Sequence, residues 1–163
     1  MQHLWTPWRM KYIQEKIDEK ECVFCQAHTA CEDESNFIVH RGENVFVMLN
    51  LYPYTTGHLL ILPYLHESTL EALNRETQVE IMELVTKSLE ILRSEYQPGG
   101  FNVGVNLGEA AGAGIPEHVH WHVVPRWPSD TNFLSSVGET RIIPEDLTST
   151  YDRVFKAWER SND

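Results

Sequence analysis

His118-Val119-His120-Trp121-His122-Val123-Val124-Pro125 carries an imidazole at every second position and an apolar side chain between each pair. Successive side chains of a β-strand point to opposite faces. The spacing therefore puts three imidazoles on one face and Val119, Trp121 and Val123 on the other. Imidazoles aligned in this way near neutral pH can bind a metal, relay protons or act as nucleophiles. All three around one zinc would make an open, catalytic type of metal site. Directly upstream lies Asn106-Leu107-Gly108-Glu109-Ala110-Ala111-Gly112-Ala113-Gly114. Small residues let backbone N–H groups close in on an anion, so Gly112 and Gly114 are candidate phosphate-binding positions. Anion donors beside an imidazole nucleophile suggest chemistry on phosphorus.

Further strand patterns lie upstream: Phe37-Ile38-Val39, Val45-Phe46-Val47-Met48-Leu49, and Leu59-Leu60-Ile61-Leu62. The last is entered through the polar turn Tyr54-Thr55-Thr56-Gly57 and closed by Pro63. A long helix is expected next. Asn74 is placed to cap it, Val79, Met82, Val85, Leu89 and Leu92 recur at spacings of three and four, and Pro98-Gly99-Gly100 stops it. Residues 101–107 alternate as a half-buried strand should. A last helix is expected over residues 144–160, with Pro144 near its start and Leu147, Tyr151, Phe155 and Trp158 on one face. Strands in hairpin-like order around one long helix indicate an α+β fold with a mainly antiparallel sheet. Residues 1–16 read as an aromatic-rich arm and residues 17–34 as acidic and irregular.

The chain has 163 residues, 42% of them hydrophobic and 23% charged, which suits one globular domain. Its net charge of −11 argues against wrapping duplex nucleic acid. No run of about 18 apolar residues is available to span a membrane, and the N-terminus has no apolar signal region. Three cysteines are an odd number, and two of them form Cys22-Val23-Phe24-Cys25. The pair points to a reducing compartment, hence the cytoplasm, and to a metal or redox pair rather than a disulfide framework. A thioredoxin-like reading would need a βαβ setting that the pattern lacks. Two cysteines supply half of a tetrahedral zinc site.

Residues 118–124 resemble the signature of the histidine triad family of nucleotide hydrolases and transferases. The likeness extends to Asn50-Leu51-Tyr52-Pro53-Tyr54-Thr55-Thr56-Gly57-His58-Leu59-Leu60-Ile61-Leu62-Pro63 and to the long helix between the two blocks. The flanks Leu4-Trp5-Thr6-Pro7-Trp8-Arg9-Met10 and Pro125-Arg126-Trp127-Pro128-Ser129-Asp130-Thr131-Asn132-Phe133 resemble the branch of bacterial diadenosine tetraphosphate phosphorylases and fragile-histidine-type dinucleoside polyphosphate hydrolases. The resemblance implies a single domain over residues 1–163. Its arm would occupy 1–36, its core 37–127 and its C-terminal extension 128–163.

The same resemblance implies the site. His120 is the expected nucleophile, forming an adenylyl-histidine. His118 and His122 flank it, His122 contacts phosphate oxygens, and His58 joins the imidazole chain. Asn50 would bond the ribose hydroxyls, Met48 and Leu60 would form an apolar slot for the base, and Asn106 would lie near the phosphate or leaving group. Some bacterial members carry structural zinc on positions matching Cys22, Cys25, His66 and His118. Cys31 and His28 are rival ligands from the residues alone. No Walker-type Lys or carboxylate cluster calls for obligate magnesium, although magnesium can accompany the polyphosphate substrate. The family implies a homodimer acting on adenine nucleotides. Phosphorolysis of diadenosine tetraphosphate to ADP and ATP is the first expectation. Hydrolysis releasing AMP, or a nucleotide-binding regulatory protein with residual nucleotidyl transfer, are the alternatives. Trp127 and Phe133 are candidates to border a second nucleoside, Arg126 is either structural or phosphate-facing, and His40 is expected at an exposed strand end.

Overall fold

A computed structural model describes residues 21–128, 130 and 143–161. The expectations for residues 1–16, for the flank at 4–10 and for Phe133 fall outside the described residues. Helix α1 spans Val23–Thr29. Strands β1 (Ile38–Arg41), β2 (Val45–Leu49) and β3 (Leu59–Pro63) precede the long helix α2 (Arg75–Tyr96). After it come β4 (Gly100–Val105), a short 3-10 turn (Glu109–Ala111), β5 (Trp121–Arg126) and helix α3 (Leu147–Arg160). The five strands form one sheet in the order β1-β2-β3-β5-β4, with every neighbouring pair antiparallel. The α+β class and antiparallel sheet expected from the alternation are what the chain forms.

Strand alternation divides the interior into two. Val47, Leu49, Leu59, Ile61, Trp121 and Val123 face one side, where α2 and α3 cover them. Phe46, Met48, Leu60 and Leu62 face the other, where Phe24 and Ala27 of α1 pack. Every residue of β2 and β3 is buried because both faces are covered.

The long helix is capped as expected: Asn74 Oδ1 accepts from the Thr77 amide at 2.8 Å. It ends where Gln97 adopts the left-handed conformation, one residue before Pro98. Its buried face differs from the expected stripe. Thr77, Ile81, Leu84, Val85, Ser88, Ile91 and Leu92 are buried, whereas Val79 and Met82 are exposed. Two small polar residues, Thr77 and Ser88, complete the inward stripe and turn it relative to the purely apolar one. Ser88 is accommodated because its hydroxyl donates to the Leu84 carbonyl at 2.7 Å.

The last helix begins at Leu147 rather than near Pro144. Asp146 sets this boundary by accepting from the Ser149 amide at 3.0 Å. Phe155 is largely outside the core, stacked on Tyr151. In β4, Val103 is exposed because the strand lies at the sheet edge. The stretch expected to be irregular contains α1. His40 is half-buried and stacks on Trp158 with ring centroids 5.0 Å apart, rather than standing free at a strand end.

Candidate active site

The ladder of β5 starts at Trp121, but the alternation begins earlier. Val119 joins the α2/α3 core, while His118 and His120 turn to the opposite face with His122. The Val119 amide is anchored on the Glu67 carbonyl at 2.7 Å. All three imidazoles therefore occupy the side that the sequence assigns them.

Their hydrogen bonds fix the tautomers. His120 Nδ1 lies 2.8 Å from the His118 carbonyl, which can only accept. Nδ1 therefore carries the proton and Nε2 the lone pair. His58 Nδ1 accepts from the Tyr54 amide at 3.1 Å, so its proton sits on Nε2 and is donated to His122 Nδ1 at 3.0 Å. That places the His122 proton on Nε2, which is buried and has no partner among the described residues. A donor held in this way faces either an anion or an energetic cost of about 1–3 kcal/mol. Burial, aided by neighbouring His120, pushes the His122 pKa down to about 4, so the ring is neutral at pH 7.

Gly57 is essential to this delivery. It has φ +76°, and a Cβ there would meet Leu92 at 3.0 Å, so the turn that presents His58 requires glycine. Asn50 sits beside the relay, with Oδ1 accepting from the Tyr52 amide at 2.9 Å and Nδ2 3.3 Å from His58 Nδ1.

These groups open onto one cleft of about 390 Å³. Met48, Asn50, Leu60, Asn106, Gly112, Gly114, His120 and His122 all line it. Every substrate-binding residue expected from the sequence is thus gathered at one place, together with two triad members. Met48 pairs with Leu60, and Leu60 with His122, across adjacent strands, so a single rung of the sheet brings two apolar residues and a triad imidazole to the cleft.

The family model for the HIT domain matches residues 32–129, more than half of the chain. The chain belongs to the HIT domain family. It is 40% identical over 167 residues to the AP-4-A phosphorylase of Mycobacterium tuberculosis, an alignment covering 98% of this chain and 86% of that protein. It is 29% identical to Protein hit of Bacillus subtilis, over 84% of this chain and 94% of that one. Among solved structures, it is similar to a Zn-bound histidine triad family protein from Mycobacterium smegmatis. That match has a TM-score of 0.70 and 26% identity, and it covers 87% of this chain and 96% of the other.

The HIT cleft has a wall that sequence reasoning missed. Val23, Phe24, Gln26 and Ala27 of α1 line it opposite the sheet. The apolar spacing Val23, Phe24, Ala27 was a signal available for this face.

Behind that wall the metal-type ligands converge. Sγ of Cys22 and Cys25 lie 3.4 and 3.6 Å from His118 Nδ1, and Cys25 Sγ lies 3.3 Å from His66 Nδ1. The four ligand atoms all lie within 4.8 Å of one another. Tetrahedral zinc with ordinary bond lengths separates sulfur and nitrogen ligands by about 3.5 Å, so these residues fit a four-ligand zinc site. His118 Nε2 donates to the Pro63 carbonyl at 2.9 Å, which leaves the Nδ1 lone pair directed at the thiols. Burial and neighbouring Cys22 push the Cys25 thiol up to about 11, so without a cation that thiol stays protonated near pH 7.

The rival ligands stand apart: His28 packs against Phe46 and Tyr64, and Cys31 is exposed. Arg126 proves structural, forking onto Asp130 at 2.5 and 2.8 Å and reaching Asn102 at 2.6 Å. Trp127 is not among the residues lining the cleft; its amide donates to Asp130. No described helix is long and apolar enough to cross a membrane.

Proposed function

We propose that this HIT protein is a nucleotidyltransferase that cleaves adenine dinucleoside polyphosphates through an adenylyl group on His120. Support rests first on the partnerless proton of His122 Nε2 beside the lone pair of His120 Nε2, a donor and a nucleophile on one cleft face. Similarity to AP-4-A phosphorylase selects the substrate class. In the first step His120 Nε2 attacks an α-phosphorus of diadenosine tetraphosphate. A P–N bond forms, the bond to the bridging oxygen breaks, and ATP departs. In the second step an oxygen of inorganic phosphate attacks the same phosphorus, the P–N bond breaks, and ADP leaves. Water in place of phosphate gives AMP.

His122 donates to a phosphoryl oxygen, and a donor positioned for developing charge contributes about 10²-fold or more. His58 holds the tautomer that makes this possible. Asn50 retains one lone pair and one N–H for the ribose hydroxyls. Met48 and Leu60 hold the base against α1, and Asn106, Gly112 and Gly114 face the phosphates. Zinc on Cys22, Cys25, His66 and His118 has no open position and is structural. Among the described residues no carboxylate lines the cleft, which suits magnesium that arrives with the polyphosphate rather than on the protein.

The same reading takes residues 1–163 as one HIT domain: an arm over 1–36, a core over 37–127 and an extension over 128–163. The chain would work as a homodimer, supported by the edge of β4, which pairs with no further strand among the described residues, and by its exposed Val103. A cytoplasmic location suits thiol ligands that must stay reduced, and the net charge of −11 suits a partner other than duplex nucleic acid.

Incubation with diadenosine tetraphosphate, with and without inorganic phosphate, tests the reading. ADP and ATP formed only with phosphate identify a phosphorylase. AMP and ATP formed without it identify the hydrolase. Tight AMP binding with no turnover rejects both in favour of a regulatory binding protein.

A further inference from the structure

We infer that Phe24 is a positioning residue that couples the four-ligand metal site to the nucleotide cleft, so that metal and adenine nucleotide bind cooperatively. The inference rests on the proposed assignment of the cleft to an adenine nucleotide. It starts from α1. This helix has seven residues, and its N-cap, Cys22, makes no side-chain capping bond. A helix that short does not hold itself together in water. It is fixed from outside, by packing on the sheet and by the two cysteines at its start.

The same turn serves both sites. Cys22 and Cys25 face His66 and His118, whereas Val23 and Phe24 between them line the cleft. The buried Phe24 ring lies 5.5 Å from the His118 ring and 5.0 Å from the His120 ring. It therefore touches a metal ligand on one side and the nucleophile on the other. A second link runs parallel to it, because the backbone carbonyl of His118 accepts the proton of His120 Nδ1 at 2.8 Å. A cation held by the four ligands orders the wall before nucleotide arrives, and a base seated against the wall holds the ligands in place.

Linkage makes the effect reciprocal: whatever factor the metal contributes to nucleotide affinity, the nucleotide contributes to metal affinity. Couplings of this kind amount to about tenfold.

The test uses the intact zinc-loaded chain. Zinc affinity is measured by competition with a chromophoric chelator, with and without saturating AMP. AMP binding is followed separately by calorimetry. The expected result is zinc held about tenfold more tightly with AMP, and a shift of the thiolate charge-transfer bands of the Co²⁺-loaded protein when AMP is added. Phe24→Leu, with Phe24→Met as a second variant, should bind zinc alone as wild type does but lose the AMP effect and the spectral shift. AMP binding with zinc affinity unchanged overturns the coupling. Coupling undiminished in both variants overturns the role of Phe24. Failure of AMP to bind the zinc-loaded wild type defeats the cleft assignment itself, and the inference with it.

Discussion

Replacing His58 with leucine tests the tautomer relay directly. His58 is 1% exposed and stands between the Tyr54 amide and His122 Nδ1, at 3.1 and 3.0 Å. Leucine fills similar space but can neither accept nor donate. His122 Nδ1, the Tyr54 amide and the Asn50 side-chain amide then lose this partner; at about 1–3 kcal/mol for each of the first two, unfolding free energy should drop by about 2–6 kcal/mol. The kinetic effect has a separate cause. With no donor at Nδ1, the His122 proton is free to move there, and Nε2 then presents a lone pair to the phosphoryl oxygens. Loss of one such donor lowers kcat by about 10²–10³. His58→Gln keeps an acceptor and a donor on one side chain and should recover part of both losses. Initial rates on diadenosine tetraphosphate, taken at a temperature where denaturant melts show each variant folded, separate the two effects. A folded His58→Leu protein with wild-type kcat would refute the relay.

His120→Gly should lower turnover more than about 10³-fold while AMP affinity stays within about tenfold; a variant keeping a tenth of wild-type activity has no covalent histidine step. Elemental analysis of protein purified without added metal should find one zinc per chain. Cys22→Ser with Cys25→Ser should release it and lower Tm by several degrees, and metal-free protein with unchanged Tm rejects the site. Because His122 is held near pKa 4 against an ordinary 6.5, the unfolded chain binds the proton first. Its contribution is complete above pH 6.5 and is lost as pH falls toward 4, by at most about 3 kcal/mol. The stability advantage of wild type over His122→Gln should therefore shrink between pH 7 and 4.5 in denaturant melts, and a constant difference contradicts the shift.

The imidazole face was legible because a period of two is rigid: once residues 118–124 alternate, only the choice of face remains, and Val119, Trp121 and Val123 settle it. Met48 and Leu60 were legible by resemblance, and their pairing across strands explains why they meet. Helix α1 was hidden because seven residues containing a valine, a cysteine, a histidine and a threonine carry little intrinsic helix preference; contacts with residues far along the chain hold them. The stripe on α2 was misjudged at Val79 and Met82 because Thr77 and Ser88 face inward, and small polar residues leave no apolar mark; Ser88 is tolerated there by bonding back to its own helix. The stack of His40 on Trp158 joins residues at opposite ends of the described fold, where local patterning has no reach.

The interleaving of the two faces in β2 and β3 has an evolutionary consequence. Val47, Leu49, Leu59 and Ile61 are committed to the α2/α3 core, while Met48 and Leu60, one step away along the same strands, meet the cleft. A point mutation at either of the latter can reshape the cleft without disturbing the layer on which folding depends. An insertion or deletion of one residue in either strand would instead exchange the two sets. Descendants of this chain can therefore reshape the cleft by substitution, while changes of length are confined to the loops between strands.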